Sequence, residues 1–458
     1  MIHIPVVKPG RRITPRDLES SGSPDIPTAG WNQIVGSTPF ARFVIAVAAA
    51  LTAVACSRTE PLPPSVYDGD NAVSYEGLSP TLRSTRVDLL YVTDRTPQTD
   101  DEGNLQYGIG RSPSLAYGSV VVELDEDRSW DELVAWTRSE ASGDTDPVPK
   151  VVSVTELGRF PATPFPVELG DFGRVVHKPE IQAAHAKTMD IALQELRRRL
   201  ALSAGKVVGV TVHGVQTSFE EFALVIAMSW HKAGRWGVPI YYSWPAGGSG
   251  FVSGYSYDRE SGEFTIYHLK QFLRALGTIP EIKRVNLLAH SRGTDVLVSA
   301  LRELMIEARA AGNDPQVQFN FGDLVLVAPD MDVEVSTQRI IAEGLGQGVR
   351  HTTIYVSEDD WAIGLADSLY NSKRRLGQIN PEDLTEDQKQ LLRKVSNVDI
   401  IFYRGSAGGS FGHSYYESPE VFSDLVMLTQ GRKAGAEHGR PLEPVGPHLW
   451  IIRDGYSP

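Results

Sequence analysis

Five residues, Ala289-His290-Ser291-Arg292-Gly293, fit a small-x-Ser-x-Gly pattern between the apolar run "VNLLAH" and the stretch "TDVLVSALRELMIEARAAG". A serine at a tight strand-to-helix turn can attack a carbonyl carbon when a base takes its proton. The pattern has a steric cause, because side chains two before and two after the serine would collide with the neighbouring strand and helix unless they were small. Ala289 stands where a first glycine is usual, yet it keeps the position small. The start of the following helix adds free N–H groups and the positive end of a dipole beside the hydroxyl. The same serine would serve equally well as an N-cap, so partners elsewhere in the chain must decide between the two roles.

Three such partners are present. "VVGVTVHGVQTSFEEF" places His213-Gly214 at the end of a strand-like run, where the backbone N–H of Val215 or Gln216 can join that of Arg292 in holding an oxyanion. The His213 ring itself is expected to pack beneath the sheet edge, and Ser218 with Glu221 makes a capping box for the next helix. Acids follow two later strand-like runs: Asp330 and Asp332 after "DLVLVA", and Asp359 and Asp360 after "TTIYV". The chain order Ser, Asp, His then calls for a histidine near the end. Among the eleven histidines, His413 lies after the last strand, in "GSAGGSFGHSYYESPEVF", ahead of a helix capped by Ser418 with Pro419 in its first turn. Asp360, after the second strand beyond the serine, is the expected acid. Asp330 is the alternative, with Asp359 facing solvent and Asp332 capping a helix. Aromatic residues in "YYSWPAGGSGFVSGYSY" can line an acyl or aryl pocket, although Trp244 fits a core position as well. Glycines within 247–254 suit either a mobile rim or a plain surface loop.

The elements that must position these residues can be read from periodicity. "EIQAAHAKTMDIALQELRRRLAL" repeats apolar residues at helical spacing through Ile181, Ala184, Ile191, Leu196 and Leu200. After it, "VVGVTV", "VPIYYSW", "VNLLA", "DLVLVA", "TTIYV" and "VDIIFY" alternate with amphipathic segments. Nearly continuous apolar strands between helices indicate an α/β fold, a mostly parallel sheet covered on both faces. Residues 179–431 are therefore expected to be the catalytic core. Residues 86–178 carry "VDLLYVT", "YGSVVVEL" and "VPKVVSVTEL" without long helices between them, a small antiparallel β-rich subregion. Residues 376–395 suggest a charged surface insertion, and 432–458 a tail without clear period.

Over residues 86–430 the chain resembles a family of poorly characterised bacterial α/β hydrolases, esterase- or lipase-like and often found on lipoproteins. The resemblance rests on "LLYVTDRTP", "YGSVVVEL", "VHGVQTSFEEF", "YYSWPAGG", "YDRESGEF", "LLAHSRGTDVL", "VAPDMD", "YVSEDDWAIGLAD" and "HSYYESPEVF", nine stretches in order. It implies an α/β-hydrolase fold with Ser291, Asp360 and His413 in the triad positions and no metal or organic cofactor. Arg292 stands where methionine is common in that family, and Gln216 where asparagine is common. The expected reaction is acyl transfer from a small-molecule or lipid ester to water. A catalytically silent envelope protein that binds a partner or lipid is the alternative.

Composition narrows the setting. Lys+Arg number 44 against Asp+Glu 57, a net charge of −13, which argues against a nucleic-acid partner, since that would require a basic face. The single cysteine, Cys56, excludes an intrachain disulfide or a cysteine-based metal site. It follows the apolar run Phe43 to Ala55, which is short for a membrane span and suits a signal-peptide core. Ala53-Val54-Ala55-Cys56-Ser57 resembles a lipobox. Residues 1–56 are accordingly expected to be a lipoprotein leader, initiation at Val35 giving it a short n-region that carries Arg42. Residues 57–85 form the tether. A lipid on Cys56 would hold the enzyme at a bacterial envelope membrane, facing the periplasm or the outside; the alternative location is cytoplasmic.

Overall fold

Runs of Val, Ile and Leu bounded by turn residues become the strands of one sheet, because each buries side chains on both of its faces. A computed structural model describes residues 73–458 except 139–145, 165–166, 204, 361, 364–374, 396, 407–411 and 457–458. The leader, Cys56 and the first part of the expected tether lie outside the described residues. The described strands of the main sheet are β1 Arg86–Thr99, β2 Leu105–Glu123, β3 Lys150–Arg159, β4 Val207–Val212, β5 Val238–Ser243, β6 Arg284–His290, β7 Phe321–Val327, β8 His351–Val356, β9 Val398–Arg404, β10 Glu443–Gly446 and β11 Leu449–Arg453. Their spatial order is β10-β11-β9-β8-β7-β6-β4-β5-β1-β2-β3. From β1 across to β11 all neighbours are parallel, and antiparallel pairs close both edges. Strand β7 is buried along its whole length, as expected at the centre of such a sheet.

Helices cover both faces. On one, α2 (Pro179–Leu202), α4 (Phe251–Gly277) and α5 (Gly293–Ala310) pack Leu196, Leu269, Leu273, Leu297 and Leu301 against Val208, Val210, Leu287 and Leu324. On the other, α1 (Trp130–Arg138) and α3 (Phe219–Lys232) bring Leu133, Phe219, Phe222 and Ile226 onto Leu89, Tyr91 and Tyr241. Helix α7 (Pro419–Thr429) covers that same face further along, against Val325, Tyr355 and Ile401, α6 being the short helix Glu386–Leu392. Adjacent residues of one strand thus feed opposite layers, the period of two expected of a sheet covered on both sides. Among the described residues, no helix is long and apolar enough to cross a membrane.

Three expected boundaries differ from the structure. The subregion 86–178 is antiparallel within itself, but β1 also pairs in parallel with β5, Leu90 opposite Ile240, and so extends the core sheet. Residues 432–458 are no tail, because Leu449, Ile451 and Ile452 are buried in β11 beside β9. The segment 376–395 starts under the sheet's end, where the Leu376 N–H donates to Met331 O (2.8 Å) and Ser357 N–H donates to Gly377 O (2.9 Å). Only its later part, including α6, runs at the surface.

Candidate active site

Every catalytic candidate sits where a strand of the parallel sheet ends, the side on which α/β folds bind ligands. Ser291 follows β6 at φ +53°, a backbone region that costs a non-glycine residue on the order of 1–3 kcal/mol. Its main chain is held tightly: its N–H donates to Val327 O (2.9 Å), and its carbonyl accepts from Thr294 N (3.0 Å), Thr294 Oγ1 (2.7 Å) and Asp330 N (3.3 Å). The side chain is not used as a cap. Helix α5 starts from Arg292 without a side-chain cap, and among the described residues the Ser291 hydroxyl has no hydrogen-bond partner.

The small residues around the serine have visible work. A Cβ on Gly293 would strike the carbonyl oxygen of His213, so α5 and the β4 end approach each other only through a glycine. A Cβ on Gly214 would lie 2.8 Å from Ser291 Cβ and 3.3 Å from both Ser291 Oγ and His290 Nδ1. The turn after β4 therefore presses directly on the serine.

Asp360 and His413 meet. His413 Nδ1 donates to Asp360 Oδ2 at 2.7 Å, while Asp360 Oδ1 accepts the Ile363 N–H at 3.2 Å. Asp360 is fully buried and the His413 side chain is 23% exposed. Because a carboxylate only accepts, Nδ1 carries the proton and Nε2 is left free to act as a base. Gly412 makes the approach feasible: it sits at φ +68°, and a Cβ there would collide with Asp359 O. Asp359 itself is exposed, as expected. The His413 ring lies 4.8 Å from the ring of His290, the residue before Ser291.

Burial disfavours the His413 imidazolium, but the charge and hydrogen bond of Asp360, helped by the charge of Asp330, outweigh it and raise the pKa above the ordinary 6.5. His290 goes the other way. Burial, and then the charge of His413, hold it well below 6.5, so it stays neutral beside the base.

Asp330 is buried a short way off and otherwise engaged. Its Oδ2 accepts the Tyr255 hydroxyl at 2.6 Å, and Arg375 Nη1 lies 3.2 Å from its Oδ1. Asp332 caps the next turn through Glu334 N (2.8 Å) and Val335 N (3.1 Å). The Arg292 guanidinium turns into the protein, 2.6 Å from Asp295 Oδ2.

Among the oxyanion donors one expectation needs correction. The Gln216 N–H is already donated to Asp258 Oδ2 at 2.7 Å, so it is not available to a substrate. Among the described residues, the N–H groups of Val215 and Arg292 find no partner and remain as donors. His213 is buried at 2% exposure, its ring stacked on Trp244 (5.2 Å), whose Nε1 donates to His213 O at 2.8 Å. Trp244 is thus core beneath the turn, not a pocket wall. The glycine-rich stretch is part of the same support: Gly247 and Gly248 both donate to Asp258, and helix α4 starts at Phe251. Asp258 and the buried Arg95 escaped the reading of the sequence. The signals were faint, a charged "TDR" following the apolar run "VDLLYV" and an acid inside "YSYDRE".

A cavity of about 330 Å³ between β1, β2, α2 and α4 is lined by Leu90, Tyr117, Phe160, Leu193 and Phe272, and includes none of Ser291, Asp360 and His413. Among the described residues, no cluster of His, Cys, Asp and Glu has the form of a metal site.

Comparison with known proteins agrees with this architecture. Residues 189–430, more than half of the chain, match the family model described as "alpha/beta hydrolase of unknown function" (DUF900). No curated protein matches the sequence. With the parallel sheet, the strand-to-helix serine turn and that match together, the chain belongs to the DUF900 family of alpha/beta hydrolases.

Proposed function

We propose that the protein is a serine hydrolase that cleaves carboxylic esters through an acyl-enzyme. The observation that carries this reading is the 2.7 Å contact between His413 Nδ1 and Asp360, beside a serine held at φ +53° whose hydroxyl caps nothing. In the first step His413 Nε2 takes the Ser291 proton as Oγ attacks the ester carbonyl. The N–H groups of Val215 and Arg292 receive the negative charge that develops on oxygen. The imidazolium then protonates the leaving alcohol, and the acyl group remains on Ser291. Water, deprotonated by the same histidine, attacks this acyl-enzyme and releases the carboxylic acid. Asp360 keeps the proton on Nδ1 throughout and stabilises the charge on the ring.

The substrate class is a small-molecule or lipid ester. The setting we propose is a bacterial envelope membrane, reached through a lipid on Cys56. The reading is tested with a fluorophosphonate probe and with short p-nitrophenyl esters. Wild-type protein should label on Ser291 and turn over, and Ser291→Ala should do neither, losing on the order of 10⁶ in kcat. An Ala variant with undiminished turnover refutes it.

A further inference from the structure

Two buried charges that touch neither Ser291 nor His413 grip the turn carrying one oxyanion donor. Asp258, in the second turn of α4, is completely buried and accepts three backbone N–H bonds. Its Oδ2 takes Gln216 N (2.7 Å), and its Oδ1 takes Gly247 N (3.0 Å) and Gly248 N (2.9 Å). Arg95, in the second half of β1 and 1% exposed, holds the same two segments by their carbonyls. Its Nη2 donates to Thr217 O (2.7 Å) and its Nη1 to Ala246 O (2.8 Å), while Nε donates to Ser243 Oγ (2.8 Å). The turn after β4 and the loop after β5 are thus tied together at both N–H and C=O groups.

The tie has something to hold. Gln216 stands at φ +54°, a conformation that a residue with a side chain adopts only when its surroundings enforce it. In that conformation the Gln216 N–H goes to Asp258, while the neighbouring Val215 N–H, in the same turn whose Gly214 abuts Ser291, is left unclaimed among the described residues.

We propose that Asp258, braced by Arg95, is a positioning residue that fixes the Val215 N–H for the oxyanion. This rests on the serine-hydrolase reading above. Asparagine at 258 keeps the shape but offers one acceptor oxygen to three N–H groups and sets an NH₂ donor against at least one of them. Asp258→Asn should therefore lower kcat by roughly 10²- to 10³-fold, the effect of losing one oxyanion donor, with KM changed little. Affinity for an aryl trifluoromethyl ketone, whose adduct with the serine carries an oxyanion, should fall by the same factor as kcat/KM. The acid limb of the pH profile, which belongs to His413, should stay in place.

Wild-type kcat in Asp258→Asn overturns the proposal, as does a rise in KM alone with ketone affinity kept. Ser291→Ala is run in parallel. If it retains turnover, the hydrolase reading fails, which is a different result from a Ser291-dependent activity indifferent to position 258. Should Asp258→Asn not fold, hydrogen exchange of the full-length wild type decides. Peptides covering 213–218 and 245–250 should be protected together, and exchange at the rate of an open loop overturns the tie.

Discussion

His413 is subject to two opposing influences, burial against its charge and Asp360 in favour of it, and the second prevails. A base must be neutral to act, so kcat/KM should rise with pH through an apparent pKa above 6.5. Asp360→Asn removes the influence that raises the value and leaves burial, which lowers it. Its acid limb should therefore move to lower pH, while kcat falls on the order of 10⁴-fold as the ring loses its tautomer. Asp330→Asn should shift the limb slightly downward and cost far less, because Asp330 acts on the ring only from a distance. Profiles of kcat/KM between pH 5 and about 9 for the three proteins check this, and a larger loss at Asp330 would exchange the two roles. At this scale, chain order made much of the site legible: an acid and a histidine in the right succession after the right strands singled out Asp360 and His413. The amide of Gln216 was not legible, because the group that claims it lies on another element 42 positions away and no local spacing announces it.

Between elements, the contacts are made by residues with little or no side chain. Gly293 lets α5 reach β4, Gly214 lets the turn reach Ser291, and Gly412 lets the His413 loop reach the end of β8. Gly412→Ala meets two obstacles, a positive φ and the Asp359 carbonyl, so the loop must move and carry His413 away from Asp360. A displacement near 1 Å is expected to lower kcat by about 10²-fold. Thermal unfolding should change by only a few degrees, since the position lies in a loop. Activity loss without such a stability loss, measured side by side, supports this account, and equal losses in both contradict it. Capping was readable from sequence, and the Ser218–Glu221 box and the Ser418 cap form with bonds of 2.9–3.2 Å. The closing strands were not readable. "EPVG" has a proline and a glycine in four residues, and "LWIIR" draws its burial from neighbouring β9 and not from any alternation of its own.

For the whole molecule, the leader and the fold pose separate questions. The lipid-anchor proposal is checked by the intact mass of protein extracted from membranes. A mature chain beginning at Cys56 with added acyl mass supports it, and an unmodified chain starting at Met1 in the soluble fraction rules it out. An α/β architecture was evident from the rhythm of apolar runs, whose burial is the main driving force of folding. How far the sheet extends was less evident, because strands at its two edges contribute antiparallel pairs that resemble separate hairpins in sequence.

That extent bears on what can be cut out of this protein. The match to the family ends at residue 430, but Asp424, fully buried on α7, is neutralised by Arg440, equally buried, through bonds of 2.6 and 2.9 Å. Tyr456 donates to the same carboxylate at 2.7 Å. At the other border β5 would lose β1. A fragment trimmed to 189–430 would strand a charge in an apolar layer, at a cost of about 3–5 kcal/mol, and open two sheet edges to neighbouring chains. Expressed alone it should be found in the insoluble fraction, whereas 73–458 should remain in solution and melt cooperatively. The segment by which the family is known is thus smaller than the unit that can be inherited, transplanted or engineered as a working piece.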